Sequence, residues 1–475
     1  MFSAISASSV RKRGVSRLAA AALVSGLMAM GTMAGAGAAA ADDETPHLQG
    51  GASATLDGLT TFDNAVVHAD GQDQAVPAGL FEMTVDGGGK LKTYCIDIHN
   101  HTQEKAKYQE TPWDQTSLGA NQNAGKIRWI LEHSYPQIDD LSKLAGDAGT
   151  GPLTEKTAAA GTQVAIWRYS DGVDVEAKDA QAEKLADWLE KSAQVGEEPK
   201  ASLTLSPAAV SGKAGEKLGP VTVNTNAANV AVTPPADAVA SGVKITDKDG
   251  EPVTTAANGT ELYFDVPAGT SDGSASLGVQ ATTSVSVGRA FASESKSQTQ
   301  ILAGSSDSTV TAAATATWAK TGPIPAVSAQ KNCEKGGVDV TVANQGDEAF
   351  DFELAGAKHS VEAGASQTIT VPVGEDEAYD ISVTGTGGFS QNFKGVLDCK
   401  TASAPSPAPS ADQPSSQPSP ASAGGSSSGS TGGDLAETGS SSATPMIAGI
   451  AIALVVIGGG AVFFLRRKSA ANSAE

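Results

Sequence analysis

From about residue 200 onward, the chain is built of short segments in which apolar and polar residues alternate. Segments such as "GPVTVNT", "NVAVTP" and "ELYFDVPAG" are bounded by Gly, Pro or Asn. Alternation buries one face of an extended strand and exposes the other, and the bounding residues favour turns. We therefore predict an all-β, Ig-like sandwich over residues 201–320. A smaller β sandwich is predicted over 326–400, after the linker "KTGPIP".

Residues 45–200 combine strand and helix signals. The segment "GLFEMTVDGGGKLKTYCIDIHN" contains two extended runs around three glycines, which is typical of a hairpin. Three later segments, 123–136, 154–172 and 175–194, have apolar residues at helical spacing. An α+β domain is therefore predicted over 45–200, so that the chain holds three folded domains.

The N-terminal 41 residues have the pattern of a secretory signal peptide. Four basic residues within the first 17 precede an apolar, Ala-rich stretch over 18–33, and small residues lead to Asp42. Signal peptidases cleave after such small residues. We therefore predict export and removal of residues 1–41; a retained membrane helix is the alternative.

The C-terminal end carries a second set of signals. Residues 401–433 consist almost entirely of Ser, Pro, Ala and Gly, a composition that predicts a disordered linker. Residues 445–465 contain no charge and are long enough to cross a bilayer as a helix. Residues 466–475 begin with three basic residues, which predicts a cytoplasmic tail.

Between the linker and the apolar stretch lies "LAETG", residues 435–439. This motif, followed by an apolar helix and a basic tail, resembles the cell-wall sorting signal of Gram-positive surface proteins, in an LAxTG variant of the commoner LPxTG. The resemblance implies that a sortase cleaves after Thr438 and joins that residue to a peptidoglycan amine. A single-pass membrane anchor is the alternative. The motif residues are Leu435, Ala436, Glu437, Thr438 and Gly439.

Charge and motifs exclude several classes of function. The formal net charge of −21 argues against nucleic-acid binding. The chain contains no HExxH, CxxC or P-loop motif, and no GxGxxG in a strand–helix setting. We therefore predict no cofactor, no metal site and no enzymatic turnover.

The chain has three cysteines. Cys333 and Cys399 lie near the two ends of the last β domain, and in an exported protein such a pair predicts a disulfide. Cys95 is then left without a partner. It could be a buried inert thiol, an intermolecular disulfide partner, or the nucleophile of a hydrolase with His99 or His101 as its base.

A further interpretation of Cys95 comes from two motifs. "YCI" at 94–96 and "TQVAIW" at 162–167 resemble the thioester domains of Gram-positive surface adhesins, over about residues 45–200. The resemblance implies that Cys95 and Gln163 condense with loss of ammonia. It also implies a single reaction with a primary amine, either a protein lysine or a polyamine. A structural wall protein with a passive Cys95 is the alternative.

Other residues within and near these motifs are candidates for supporting roles. Tyr94 and Trp167 are expected to shield the bond from water, and Thr162 to hydrogen-bond near the Gln163 carbonyl. Ala165 is small enough for a strand to approach the helix. Groups that could assist proton transfer from the amine are Asp97, His99 and His101.

Overall fold

The computed structural model describes residues 50–69, 71–235 and 241–400, and all elements below are numbered in chain order over these residues. The first part of the chain contains five strands, four α-helices and a short 3-10 helix at Trp113–Gln115. Its elements are β1 (Ser53–Ala69), β2 (Gln72–Val85), β3 (Lys90–Cys95), β4 (Lys107–Thr111), α1 (Ala124–Glu132), α2 (Leu141–Ala148), α3 (Glu155–Ser170), β5 (Val175–Ala177) and α4 (Ala180–Ser192).

The remainder of the described chain consists mainly of strands, with a 3-10 turn at Thr386–Gly388. The middle part contains β6 (Leu203–Ser206), β7 (Ala209–Lys213), β8 (Lys217–Thr225), β9 (Val230–Thr233), β10 (Lys244–Thr246), β11 (Thr255–Ala256), β12 (Glu261–Asp265), β13 (Gly273–Ser284), β14 (Ala290–Ser293), β15 (Gln300–Ser305) and β16 (Asp307–Ala319). The last part contains β17 (Pro325–Asn332), β18 (Gly337–Asn344), β19 (Phe350–Leu354), β20 (Ala357–Val361), β21 (Ser366–Pro372), β22 (Glu377–Gly385) and β23 (Phe389–Leu397).

Six strands of the first sheet pair in a closed ring. The order is β2, β3, β15, β14, β4 and β1, and β1 also pairs with β2. The long β1 makes this possible, because its first residues pair with both neighbours: Ala54 lies opposite Val85 of β2 and Tyr108 of β4. We call this arrangement the six-stranded ring. The short β5 extends it along the far half of β1.

The ring corrects the predicted boundary at residue 200. β14 and β15 lie within the range assigned to the second domain, yet they pair with β4 and β3 of the first. A boundary at residue 200 is wrong because β14 and β15 belong to the first sheet. They are inserted in the chain between β13 and β16, which pair with each other along their whole length. A single hydrophobic core accordingly runs from Ala52 to Trp318.

The middle part otherwise forms two sheets, β10–β12–β8–β6 and β11–β9–β13–β16–β7. Its strands have the alternating burial that the sequence predicts. In β13, for example, Ala275, Leu277, Val279 and Ala281 are buried, whereas most of the intervening residues are more exposed. This pattern arises because such sheets pack one face on a core and leave the other in solvent.

The last part forms two sheets, β17–β18–β21 and β20–β19–β22–β23, with a hydrophobic core of its own. The segment before it, predicted as a linker, connects β16 to β17. The Cys333–Cys399 disulfide is present and joins residues 66 positions apart. It ties the turn after β17 to the segment after β23.

The helical segments and the hairpin lie close to where the sequence predicts them. β2 and β3 pair around the three glycines, all of which have positive φ. The helix predicted over 154–172 is α3, and the side chain of Thr154 accepts a hydrogen bond from the Thr157 amide in a capping box. It ends at Ser170 with Asp171 as its C-cap. The segment predicted over 175–194 divides into β5 and α4.

The signal peptide, the 401–433 linker, the "LAETG" motif, the apolar helix over 445–465 and the tail all lie outside the described residues. None of the described helices combines the length and hydropathy that a membrane span requires.

A buried ion pair joins Glu110 of β4 to Arg289, the residue just before β14. Arg289 Nε donates to Glu110 Oε1 at 2.9 Å, and these side chains are 3 % and 1 % exposed. Glu110 also accepts from the backbone amides of Ala52 and Ser202, while Arg289 contacts Glu198. Removing one member of such a pair leaves the other charge buried and unpaired.

We expect Arg289→Met to lower the free energy of unfolding by about 3–5 kcal/mol, because Glu110 loses its counterion inside the protein. Chemical denaturation of both proteins measures the difference. The control is Lys143→Met, which removes an exposed pair with Asp147 and should cost less than about 0.5 kcal/mol. Equal losses in the two variants would contradict the prediction.

Candidate functional site

Cys95 and Gln163 meet in the interior of the first part. Cys95 is the last residue of β3, Gln163 lies in the middle of α3, and both are fully buried. The Cys95 amide donates to Gln163 Oε1 at 3.0 Å, and Gln163 Nε2 donates to the Cys95 carbonyl at 2.8 Å. The side-chain amide of Gln163 is thus held against the backbone of Cys95 by two hydrogen bonds.

This position of Gln163 follows from the character of α3. Every residue from Ala158 to Trp167 is buried, so the helix is surrounded by protein on all sides. Its alanines and Gly161 allow close packing, since a Cβ on Gly161 would meet the carbonyl oxygen of Ala182 in α4 at 2.5 Å. A buried amide without partners would cost about 1–3 kcal/mol. The Cys95 backbone satisfies both ends of the Gln163 amide.

Cys95 is a free thiol in an environment that disfavours its thiolate. Burial, reinforced by the carboxylates of Asp171 and Asp97, raises the pKa of Cys95 well above its usual value. The Asp97 amide opposes this rise by donating to Cys95 Sγ at 3.2 Å. The Trp167 indole N–H also opposes it, although this group has no hydrogen-bond partner among the described residues.

Asp171 is a functional candidate that the sequence interpretation missed. It caps α3, and its carboxylate accepts from the Ile98 amide at 2.9 Å and from the Ser170 hydroxyl at 2.6 Å. Burial raises the pKa of Asp171 to about 7, with a further contribution from Asp97. The Asp171 carboxylate also acts on the pKa of the Cys95 thiol, which makes it a candidate for proton transfer at this site.

A sequence signal for Asp171 does exist. Gln163, Trp167 and Asp171 are spaced four residues apart, and residues at this spacing lie on one face of a helix. Gln163 is hydrogen-bonded to Cys95, and Trp167 and Asp171 both act on the pKa of the Cys95 thiol.

Two of the predicted supporting residues are part of the packing. Tyr94 is fully buried, and its hydroxyl donates to the Tyr135 carbonyl at 2.7 Å. Ala165 is also fully buried in α3. Thr162 requires a correction, because its hydroxyl donates to the carbonyl of Ala158 at 2.8 Å rather than to Gln163. A threonine inside a helix commonly satisfies its hydroxyl on the preceding turn in this way.

The proposed proton-transfer residues divide into two groups. Asp97 is only 1 % exposed and lies two residues after Cys95, so it is not an ordinary surface residue. His99 and His101 are exposed and make no side-chain hydrogen bond to Cys95 or Gln163. The chain turns away from the core after Ile98, which separates the histidines from the thiol. The hydrolase interpretation therefore gains no support from their positions.

The segment between β14 and β15 forms the other wall of the site. Gln300 lies opposite Cys95 in the strand pair, and Gln300 Oε1 accepts from Thr93 at 3.1 Å. The Ile96 amide donates to the Thr299 carbonyl, and Gln298 Nε2 donates to the carbonyls of Asp97 and Asn100. A segment about 200 residues away in sequence thus fixes the chain on both sides of Cys95.

Two family models match parts of the chain. Residues 92–195 match the model described as thioester domain, and residues 325–396 match the one described as bacterial phospholipase C, C-terminal domain. The first match contains Cys95, Gln163 and Asp171 but not β14 or β15. The second covers the sheet pair of the last part. No curated protein matches the chain.

Solved structures give more distant likenesses. The Bacillus anthracis TIE protein is 14% identical, covers 74% of this chain and 81% of its own, and has a TM-score of 0.26. The thioester domain of the Enterococcus faecium TIE86 protein is 17% identical, covers 57% of this chain and 97% of its own, and also has a TM-score of 0.26. Residues 92–195, which match the thioester-domain model, contain Cys95 and Gln163 hydrogen-bonded to each other.

Proposed function

We propose that this chain forms an internal thioester between Cys95 and Gln163 and reacts once with a primary amine, attaching itself covalently to its target. The observation that carries the proposal is the pair of hydrogen bonds that hold the Gln163 amide against Cys95 inside a buried site. A glutamine amide is a poor electrophile, so condensation needs close and persistent contact with the thiol.

Formation of the bond follows from the groups present. The Cys95 sulfur attacks the side-chain carbonyl carbon of Gln163, and negative charge develops on Oε1. The Cys95 amide, 3.0 Å from Oε1, is placed to stabilise that charge. Asp171 accepts the thiol proton and returns it to the departing nitrogen. The C–N bond breaks, ammonia leaves, and a neutral S–C bond replaces a thiol in surroundings that disfavour its ionisation.

The reaction with an amine runs this step in the opposite direction, with the amine in place of ammonia. The amine nitrogen attacks the same carbonyl carbon, the C–S bond breaks, and the sulfur takes up a proton to restore the Cys95 thiol. The product is a substituted amide on Gln163. Since the Cys95–Gln163 bond is consumed and the target stays attached, we expect one event per molecule and no turnover, in contrast to an enzyme.

The cellular setting is part of the same proposal. Export through residues 1–41 and sorting at Thr438 would place the protein on the wall of a Gram-positive type envelope, with residues 445–465 holding it in the membrane before sorting. Its partners would be a sortase, peptidoglycan and an amine-bearing target, with no nucleic acid. The β-sheet parts and the 401–433 linker would form an Ig-like stalk, so that the whole is a covalent adhesin.

Intact-mass measurement of the purified protein tests the proposal. We expect a mass lower than the sequence mass, after allowance for the disulfide, by one ammonia, and no free thiol. Methylamine should then add its full mass and release one titratable thiol. Cys95→Ala should show neither change, because it has no sulfur to condense.

The competing function is a structural wall protein with a passive Cys95. It predicts the unshifted mass, a thiol titratable in the denatured wild type, and no gain with methylamine. Such a result would refute the thioester. Ser117→Ala is a suitable control for Cys95→Ala, because it also shortens a buried polar side chain of the first part and should keep the mass deficit.

A further inference from the structure

Three carboxylates of the last part lie close together beside residues 96–100, which follow Cys95 and are called the Cys95 loop here. Glu375 and Asp376 lie between β21 and β22, and Asp398 follows β23. One ligand oxygen from each lies within 4.8 Å of the others, and all three residues are partly buried. Oxygens on opposite sides of a Ca²⁺ ion are about 4.6–5.2 Å apart, given the usual Ca–O distances. The three groups are therefore close enough to share one such ion.

Neighbouring groups hold these carboxylates in place. Glu375 Oε1 accepts from the amides of Cys399 and Lys400 at 2.6 and 2.7 Å, which leaves its second oxygen available. The Thr299 hydroxyl, from the segment beside Cys95, donates to Asp398 Oδ2. The cluster therefore contacts the wall of the candidate site through Thr299.

Asp97 gives a second and independent indication of a cation. Its side chain is buried, and its Oδ1 has no hydrogen-bond partner in the described residues. Its other oxygen accepts from Asn100 Nδ2 at 2.7 Å, and the same nitrogen donates to Asp376 Oδ1 at 3.2 Å. The Asp97 carboxylate therefore lies next to the cluster. A buried carboxylate oxygen without a partner is unfavourable unless a cation or water satisfies it.

We propose that Glu375, Asp376 and Asp398 bind one divalent cation, with the chemistry of Ca²⁺, and that Asp97 faces the bound ion. All the ligands are oxygens, which selects a hard cation rather than zinc or copper. Partial exposure leaves room for the waters that complete Ca²⁺ coordination. The bound ion connects the last part to the loop that follows Cys95. Sequence motifs predict no metal, because the ligands come from two segments that meet only in the folded chain.

Calcium titration of the full chain, freed of metal with EDTA, tests this proposal. We expect isothermal titration calorimetry with CaCl₂ to show one ion per chain, with a Kd of about 10⁻⁵–10⁻³ M. Saturating Ca²⁺ should raise the Tm by several degrees, because only the folded state has the site. Mg²⁺ should bind at least about tenfold more weakly, since it needs shorter, near-octahedral ligation.

Variants locate the site. The double variant Asp376→Asn, Asp398→Asn should lose Ca²⁺ binding, and its Tm without metal should equal or exceed that of wild type because like-charge repulsion is removed. Glu375→Gln keeps the acceptor for the Cys399 and Lys400 amides and should weaken binding about tenfold. Asp351→Asn changes an exposed acid of the same unit and should bind Ca²⁺ as wild type does.

Any of three results would overturn the proposal. Ca²⁺ does not raise the Tm of wild type, Mg²⁺ binds as tightly as Ca²⁺, or Ca²⁺ binding is unchanged in both the double variant and Glu375→Gln. If the double variant does not fold, Glu375→Gln alone decides. The inference is independent of the thioester. Cys95→Ala should bind Ca²⁺ as wild type does, so failure of one proposal is distinguishable from failure of the other.

Discussion

A fragment ending at residue 200 is expected not to fold cooperatively, even though it contains the whole region that matches the thioester-domain family. Without β14 and β15 the six-stranded ring is open between β3 and β4. The fragment also loses the fully buried Phe291, Ile301 and Leu302. Each such side chain contributes about 1.5–3 kcal/mol, so the combined loss is comparable to the whole stability of a typical domain.

Thermal unfolding followed by circular dichroism measures whether each fragment folds cooperatively. The dispersion of amide chemical shifts in NMR spectra provides a second measurement. The fragments to compare are residues 42–200 and 42–320, because the second adds the two missing ring strands and the sheets that carry them. We expect a cooperative transition for the longer fragment and a broad, non-cooperative one for the shorter. A cooperative melt of 42–200 at the temperature of 42–320 would show that the ring strands are dispensable.

Replacement of Asp171 by asparagine is expected to slow thioester formation and reaction with methylamine by about 100-fold, the usual range for loss of one proton-transfer group. Asparagine retains an oxygen that can accept from the Ile98 amide, so the loop after Cys95 should keep its position. What the variant lacks is a group that can take the thiol proton. Time-resolved intact-mass measurement gives both rates.

The control for this variant is Asp139→Asn, which changes an exposed carboxyl in the same part of the chain. It should react at the wild-type rate. A merely structural role for Asp171 would lower the Tm and leave the rate of the remaining folded protein unchanged. That outcome, or a wild-type rate in Asp171→Asn, would remove Asp171 from the proposed mechanism.

Local sequence patterns predict much of this fold because they depend on neighbouring residues. The hairpin glycines, the capping Thr154 and the alternating strand β13 each carry their own signal. β15 shows why other features escape such patterns. Its sequence "QILAGS" is almost continuously buried, as expected of a strand covered on both faces, and so it does not alternate. The absence of alternation in this segment is a local indication that β15 belongs to a different sheet from the neighbouring strands.

The candidate site divides in a similar way. The motifs "YCI" and "TQVAIW" indicate Cys95 and Gln163, because the chemistry of a thioester needs these specific residue types. Asp171 has a helical spacing that could have identified it. Asp376 and Asp398 have no such signal, because they reach the Cys95 loop only through packing of the last part.

By itself the sequence predicted most of the strands and helices, the disulfide pair and the two residues proposed to react, since each depends on local pattern or residue chemistry. Only the tertiary structure decided that β14 and β15 complete the ring around Cys95 and that acidic side chains of the last part gather beside it. The physical reason is distance along the chain. Pairings between residues about 200 positions apart are stabilised by packing and hydrogen bonds that no short segment encodes.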